Sequence, residues 1–111
     1  MFEKDVKEIS LLLDFYGELL SERKQSVLAL YYNEDFSLAE IAEDIGISRQ
    51  GARELIKKAE EELRRLEEKL GLVAKFEQAR RHIANIRSLC EQATMPPALL
   101  DETEALAKLF E

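Results

Sequence analysis

Ser37-Leu38-Ala39-Glu40 carries the strongest local instruction in the chain. A serine followed three residues later by glutamate forms a capping box. The Ser37 hydroxyl accepts from the Glu40 N–H, and the Glu40 carboxylate reaches back to the Ser37 N–H. Phe36 and Ile41 flank this start at the two positions of a hydrophobic staple. Only a short helix fits before Gly46, a residue free to take the left-handed conformation that ends helices. Ser48 then offers a second N-cap, and a long helical pattern follows it. A short helix, a tight turn and a second capped helix together make a helix-turn-helix over about residues 37–58.

The rest of the chain reads as helix too. Val6, Ile9, Leu12, Leu13, Tyr16, Leu19 and Leu20 recur at helical spacing and predict a first helix from about Asp5 to Leu20. Ser21 caps a second helix carrying Val27, Leu28, Leu30, Tyr31 and Tyr32, which fades at Asn33-Glu34-Asp35. After Ser48, Ala52, Ile56, Ala59, Leu63, Leu66 and Leu70 follow one another at steps of four and three, a seam like that of a coiled coil. Gly71 interrupts it. A further helix is expected over about Val73 to Ala93, with Phe76, Ala79, Ile83, Ile86, Cys90 and Ala93 on its seam. Met95-Pro96-Pro97 breaks the chain, and a last short helix runs to Phe110. The expected fold is all-α: a helix-turn-helix domain over residues 1–70 and a long C-terminal helical extension over 71–111.

Charge bounds the function. The 111 residues carry a net charge of −7, which argues against a protein that coats nucleic acid. The charge is unevenly placed. Residues 48–58 hold Arg49, Arg53, Lys57 and Lys58 against Glu54 alone. With successive residues turned by about 100° around the helix, Gln50, Arg53, Glu54, Lys57 and Lys58 lie opposite the apolar stripe, and Arg49 lies at its border. Arg pairs with guanine and Gln with adenine through two hydrogen bonds each, while lysines suit phosphates. Ser48, Arg49, Gln50, Arg53, Glu54, Lys57 and Lys58 are therefore the candidate DNA-binding residues, with Ser48 also a cap. Against them stands Glu60-Glu61-Glu62, read as an exposed acidic face that would repel phosphates. Gly51 fits either close backbone approach or weak packing.

Residues 19–66, from Leu-Leu-Ser-Glu-Arg-Lys-Gln through Leu-Ala-Leu-Tyr-Tyr-Asn-Glu-Asp-Phe-Ser-Leu-Ala-Glu-Ile-Ala onward, resemble region 4 of bacterial sigma factors. That resemblance implies a sigma region 4-like bundle that reads a promoter element with its second motif helix. It carries over to Ser48, Arg49, Gln50, Arg53 and Lys57 as readers. Asp14-Phe-Tyr-Gly-Glu-Leu-Leu, Leu30-Tyr-Tyr, Asp35-Phe-Ser-Leu-Ala-Glu-Ile-Ala-Glu and Ile47-Ser-Arg-Gln resemble a narrower group, the YlxM-type family of helix-turn-helix proteins, over about residues 8–90. Members are small proteins of mainly Gram-positive bacteria, encoded beside signal recognition particle components. The resemblance implies a regulator linked to that pathway, or an interaction protein that docks on the particle's protein or RNA. Where the family has a small-to-apolar pair and an aromatic residue, this chain has Gly51-Ala52-Arg53, which makes the groove-facing surface more basic.

Other residues read more plainly. His82, flanked by Arg80 and Arg81, has no other histidine or cysteine near it in sequence and reads as a solvated helix residue rather than a metal ligand. Cys90 reads as a buried seam residue, not a nucleophile. Asp14-Phe15-Tyr16-Gly17 reads as packing of the first helix. Arg80, Arg81 and Arg87 form a candidate secondary basic patch for phosphate or RNA. No motif for nucleotide, metal, cofactor or covalent catalysis is present, so the chain does not read as an enzyme. One cysteine, an N-terminus (Met-Phe-Glu-Lys-Asp-Val) without a signal layout, and no long apolar run predict a cytoplasmic protein with no membrane insertion. The seam from Ile56 to Leu70 must be covered by the first helix, the helix after Gly71 or a second copy. Its length predicts a homodimer with the extension as main contact.

Overall fold

The computed structural model describes residues 5–93 and 96–110. Residues 1–4, read above for a signal layout, and Met95 of the expected break lie outside them. The described residues are mostly helical and contain no strand. Six α-helices follow in order: α1 Val6–Tyr16, α2 Glu22–Leu28, α3 Leu38–Ile45, α4 Arg49–Leu70, α5 Leu72–Gln92 and α6 Pro97–Lys108. The chain divides into two compact units, residues 1–71 and 72–111.

In the first unit α1, α2 and α3 all pack on α4. Local chemistry sets each boundary. Asp5 caps α1 by accepting from the Glu8 N–H at 3.1 Å. Beyond Tyr16 the helix tightens into a 3-10 turn, Gly17–Leu19, so the continuous helix expected to Leu20 is shorter than its apolar pattern. Leu19 is exposed, while Leu20, the extended residue that leaves the turn, is buried. Val6, on the expected apolar face, is also half exposed. Ser21 caps α2 through the Lys24 N–H. The capping box of α3 is complete: the Glu40 N–H donates to Ser37 Oγ at 3.1 Å and the Ser37 N–H to Glu40 Oε1 at 3.0 Å. Gly46 ends α3 at φ 83°, and the Ile47 N–H donates to the Ala42 carbonyl at 3.0 Å, the six-to-one bond of a glycine C-cap. Gly71 ends α4 in the same left-handed region at φ 62°.

One segment departs from the expected pattern. Residues Ala29–Asn33 form a π turn rather than continuing α2. The Glu34 N–H donates to the Ala29 carbonyl, and Asp35 follows at φ 56°. The wider turn shifts the helical phase so that Tyr32 is buried and Tyr31 half-buried, with their rings edge to face at 5.1 Å.

The core of the first unit is built on α4. Ala52, Ile56, Ala59 and Leu63 are fully buried, against Ile9, Leu12, Tyr16, Val27, Leu28 and Ile41 from the surrounding elements. Part of the long seam is thus covered from within the unit, by α1 among others. Its end is not: Leu66 is half-buried and Leu70 exposed.

In the second unit α5 and α6 pack on each other. Pro97 begins α6, where its missing N–H leaves no bond unmade. Val73, Ile83, Thr103 and Ala107 are buried, and the Phe76 and Phe110 rings lie 5.2 Å apart. Cys90, expected to be buried, is only half-buried, and Ile86 and Ala93 of the same seam are exposed. Two helices present too little surface to enclose a full stripe of each other. Among the described residues no helix is long and apolar enough to cross a membrane.

Candidate nucleic-acid interface

The basic segment is the first three turns of α4. Ser48 fixes where it starts: its Oγ accepts from the Gly51 N–H at 2.9 Å. A Cβ at Gly51 would lie 3.0 Å from Ser48 Oγ, so an alanine requires the cap hydroxyl to move.

With Ala52 and Ile56 anchored in the core, the rotation of α4 is determined. Ser48, Arg49, Gln50, Glu54, Lys57 and Lys58 are exposed, and Arg53 is half-buried. All seven candidate residues therefore lie on one accessible stretch of one helix. Glu54 is not a bystander. Gln50 Nε2 donates to Glu54 Oε1 at 3.2 Å, one helical turn away. The pair holds the Gln50 amide in place and occupies a donor that pairing with adenine would use.

The acidic run is where the structure corrects the expectation most. Glu60 is not on the exposed face: it is 5 % exposed, and the Tyr32 hydroxyl donates to its Oε2 at 2.9 Å. Burial pushes the Glu60 carboxyl above the usual carboxylate range, against the Tyr32 hydrogen bond and the nearby charges of Arg64 and Lys57, which lower it. The same burial, with the Glu60 charge, pushes the Tyr32 phenol above its ordinary value. Glu62 is tied to Lys24 of α2 at 2.6 Å. Glu61 remains exposed. The barrier to phosphate after Lys58 is thus one solvated carboxylate, not three.

The edge of α4 toward α1 continues the same pattern. The Tyr16 hydroxyl donates to Glu67, and Arg64 Nε donates to Glu8 at 2.9 Å. The Glu8 carboxylate raises the Arg64 guanidinium above its usual value. Glu60, Arg64 and Glu67 lie at steps of four and three, each meeting a partner on α1 or the π turn. A signal for this was available. Glu60 stands four residues after Ile56 and Glu67 four after Leu63, which places both at the border of the buried stripe.

The opposite edge of α4 brings in residues that the sequence reading missed. An open groove beside the motif is lined by Arg23, Ile47, Gly51, Glu54, Leu55 and Lys58, so a cation of α2 stands next to the basic turns. Arg23 carries no motif of its own, and only the packing of α2 on α4 places it there.

In the second unit Arg80 and Arg87 line one shallow pocket with Ile83, Ala84, Ala107 and Phe110. Arg87 Nη2 donates to Glu104 Oε2 of α6 at 2.9 Å, and Nε lies 2.8 Å from Glu104 Oε1 in the same ion pair. The Arg80 guanidinium stands 5.9 Å from the centre of the Phe76 ring, a cation–π distance. Arg81 and His82 are exposed. No group of side chains suited to hold a metal ion occurs among the described residues.

The chain matches a family model described as "UPF0122: Putative helix-turn-helix protein, YlxM / p13 like" over residues 3–102. It is similar to the UPF0122 protein of Desulforamulus reducens, with 41 % identity over 97 % of this chain and 95 % of the relative. It is similar to that of Symbiobacterium thermophilum, with 44 % identity over 86 % of this chain and 89 % of the relative. A Listeria innocua protein is 47 % identical over 70 % of each chain. With helix caps, turn glycine and motif helices in place, the chain belongs to the UPF0122 family of YlxM/p13-like helix-turn-helix proteins.

Proposed function

We propose that the protein is a DNA-binding regulator that presents the first three turns of α4 to the major groove of duplex DNA. One observation carries the reading: Arg49, Gln50, Arg53, Lys57 and Lys58 project from a capped helix whose rotation is set by the buried Ala52 and Ile56. The arrangement suits a recognition helix, whose N-terminal residues meet base edges. Arg53→Ala combined with Lys57→Ala weakens binding and lowers the steepness with which affinity falls with salt, by about one in the log–log slope for each phosphate contact removed. Fluorescence anisotropy with duplexes from the chromosomal neighbourhood of the gene measures both. An unchanged affinity and slope in the double variant removes the reading.

The second unit supports a homodimer. Leu89, Leu99, Leu106 and Leu109 are 40 % or more exposed in a unit of about 40 residues, a size at which oligomerisation commonly supplies missing burial. A second copy covers these residues and supplies a second α4, as two half-sites require. Sedimentation at micromolar concentration gives a mass of two chains. A mass of one chain rejects the dimer.

A second reading, docking on protein or RNA of the signal recognition particle, draws on the net charge of −7 and the exposed Glu54 and Glu61. A pull-down with particle components, repeated after nuclease treatment, separates it from the first.

A further inference from the structure

We propose that the trough between α2 and α4 is a second phosphate-binding surface, which holds one sugar–phosphate strand of the duplex whose groove α4 enters. The inference rests on the DNA reading above and extends it to residues outside the motif. Lys58, Arg65 and Lys69 lie at steps of seven and four on α4, so they form one line along the helix, about 16 Å long at about 1.5 Å per residue. All three line the same trough, Lys24 of α2 enters it from the other side, and Glu61 and Glu62 lie among them, so four cations face two carboxylates there. Lys58 also lines the neighbouring groove that holds Arg23. Five cations thus stand along one side of a unit in a chain whose net charge is −7.

Lys58, Arg65 and Lys69 are exposed and form no ion pair among the described residues. A line of like charges repels itself, and a ligand with anions repeated along it relieves that repulsion. The chemistry of the lining narrows the ligand further. The trough contains no aromatic ring. Surfaces that grip single strands stack bases on rings, so this one is suited to backbone alone. It is open rather than enclosed, which fits an extended strand and not a small anion. Glu62 holds Lys24 at 2.6 Å and so withholds one cation from the strand.

The test compares wild type with Arg65→Gln/Lys69→Gln, with Arg53→Ala/Lys57→Ala and with Glu62→Gln. Binding is measured on a genomic and a shuffled duplex from about 50 to 200 mM salt. Arg65, Lys69 and Glu62 all reach solvent, so melting curves serve as the check that each variant folds. The expected result is a salt slope lower by about two for Arg65→Gln/Lys69→Gln, with affinity reduced alike on both duplexes. Glu62→Gln tightens binding by releasing Lys24. If Arg65→Gln/Lys69→Gln keeps the wild-type slope and affinity while Arg53→Ala/Lys57→Ala loses binding, the trough proposal is overturned and the DNA reading stands. If the wild type binds neither duplex, the DNA reading falls and the proposal with it. If Arg65→Gln/Lys69→Gln affects binding of a single strand and not of a duplex, the assignment to duplex backbone is overturned.

Discussion

Leu63→Ala lowers the stability of the first unit by about 2–5 kcal/mol, the range for truncating a buried leucine in a core that relaxes only partly. Leu63 is fully buried, and it belongs to the helix on which α1, α2 and α3 all pack. Removing its side chain opens a void beside several neighbours at once. Small domains hold a total of about 5–15 kcal/mol, so the loss consumes a large share. Each kcal/mol lowers the melting temperature of a domain of 60–100 residues by about 4–8 °C. Circular dichroism melts detect a change of this size. Leu70→Ala on the same seam provides the contrast, because Leu70 is 48 % exposed and its truncation leaves no cavity inside the unit. The expected cost there is under about 1 kcal/mol. If Leu70→Ala is as damaging as Leu63→Ala, the end of the seam is covered in solution, and only protein outside this arrangement can cover it.

The contrast between those two leucines also shows how far a sequence carries. Helix ends were legible because caps are local: Ser21, Ser37 and Ser48 each sit where a helix begins, and Gly46 and Gly71 where one ends. The seam was legible as a period but not as a depth. Ala52 to Leu63 are buried and Leu70 is not, which depends on where α1 and α2 happen to stop. The π turn at Ala29–Asn33 left no mark in the pattern. Its apolar residues suit an ordinary helix equally well, and only packing against α1 and α3 selects the wider turn. The basic turns of α4 were legible as charge on a face, since that requires only the helical period. Arg23 and Lys24 were not, because their nearness to Lys58 comes from how two helices cross.

Glu60, Arg64 and Glu67 line the edge toward α1 and the π turn, each bound to a partner. Lys58, Arg65 and Lys69 line the edge toward α2, together with Glu61 and Glu62. A linear count of Glu-Glu-Glu after Lys58 hides this, since consecutive residues point in different directions around the helix. The two edges have different work. Side chains on the first are bound to partners on α1 and the π turn, and on the second Lys58, Arg65 and Lys69 are left to solvent or to a ligand.

That division predicts a distinctive pH response for Glu60→Gln. The carboxyl of Glu60 is held above its ordinary range, chiefly by burial, while Tyr32, Arg64 and Lys57 pull it down and Glu8 pushes it up. The sign follows from linkage. A carboxyl with a raised pKa in the folded state keeps its proton to higher pH there than in the unfolded chain. Folding is therefore weakened as pH rises from the ordinary carboxylate range, near about 4.3, through the raised value. Glutamine keeps an oxygen to accept from the Tyr32 hydroxyl and has no proton to lose. The stability of Glu60→Gln relative to wild type rises across that window and is level above it. Tyr32→Phe acts in the opposite sense. It strips the buried carboxylate of its donor and lowers stability by about 1–3 kcal/mol at neutral pH. The loss shrinks as acid protonates Glu60, and it is smaller in the Glu60→Gln background, where the hydrogen bond removed is to a neutral amide and not to a carboxylate. Urea unfolding of the four proteins at a series of pH values measures all of this. A Tyr32→Phe cost that is the same at every pH and in both backgrounds shows instead that the hydroxyl contributes nothing through Glu60.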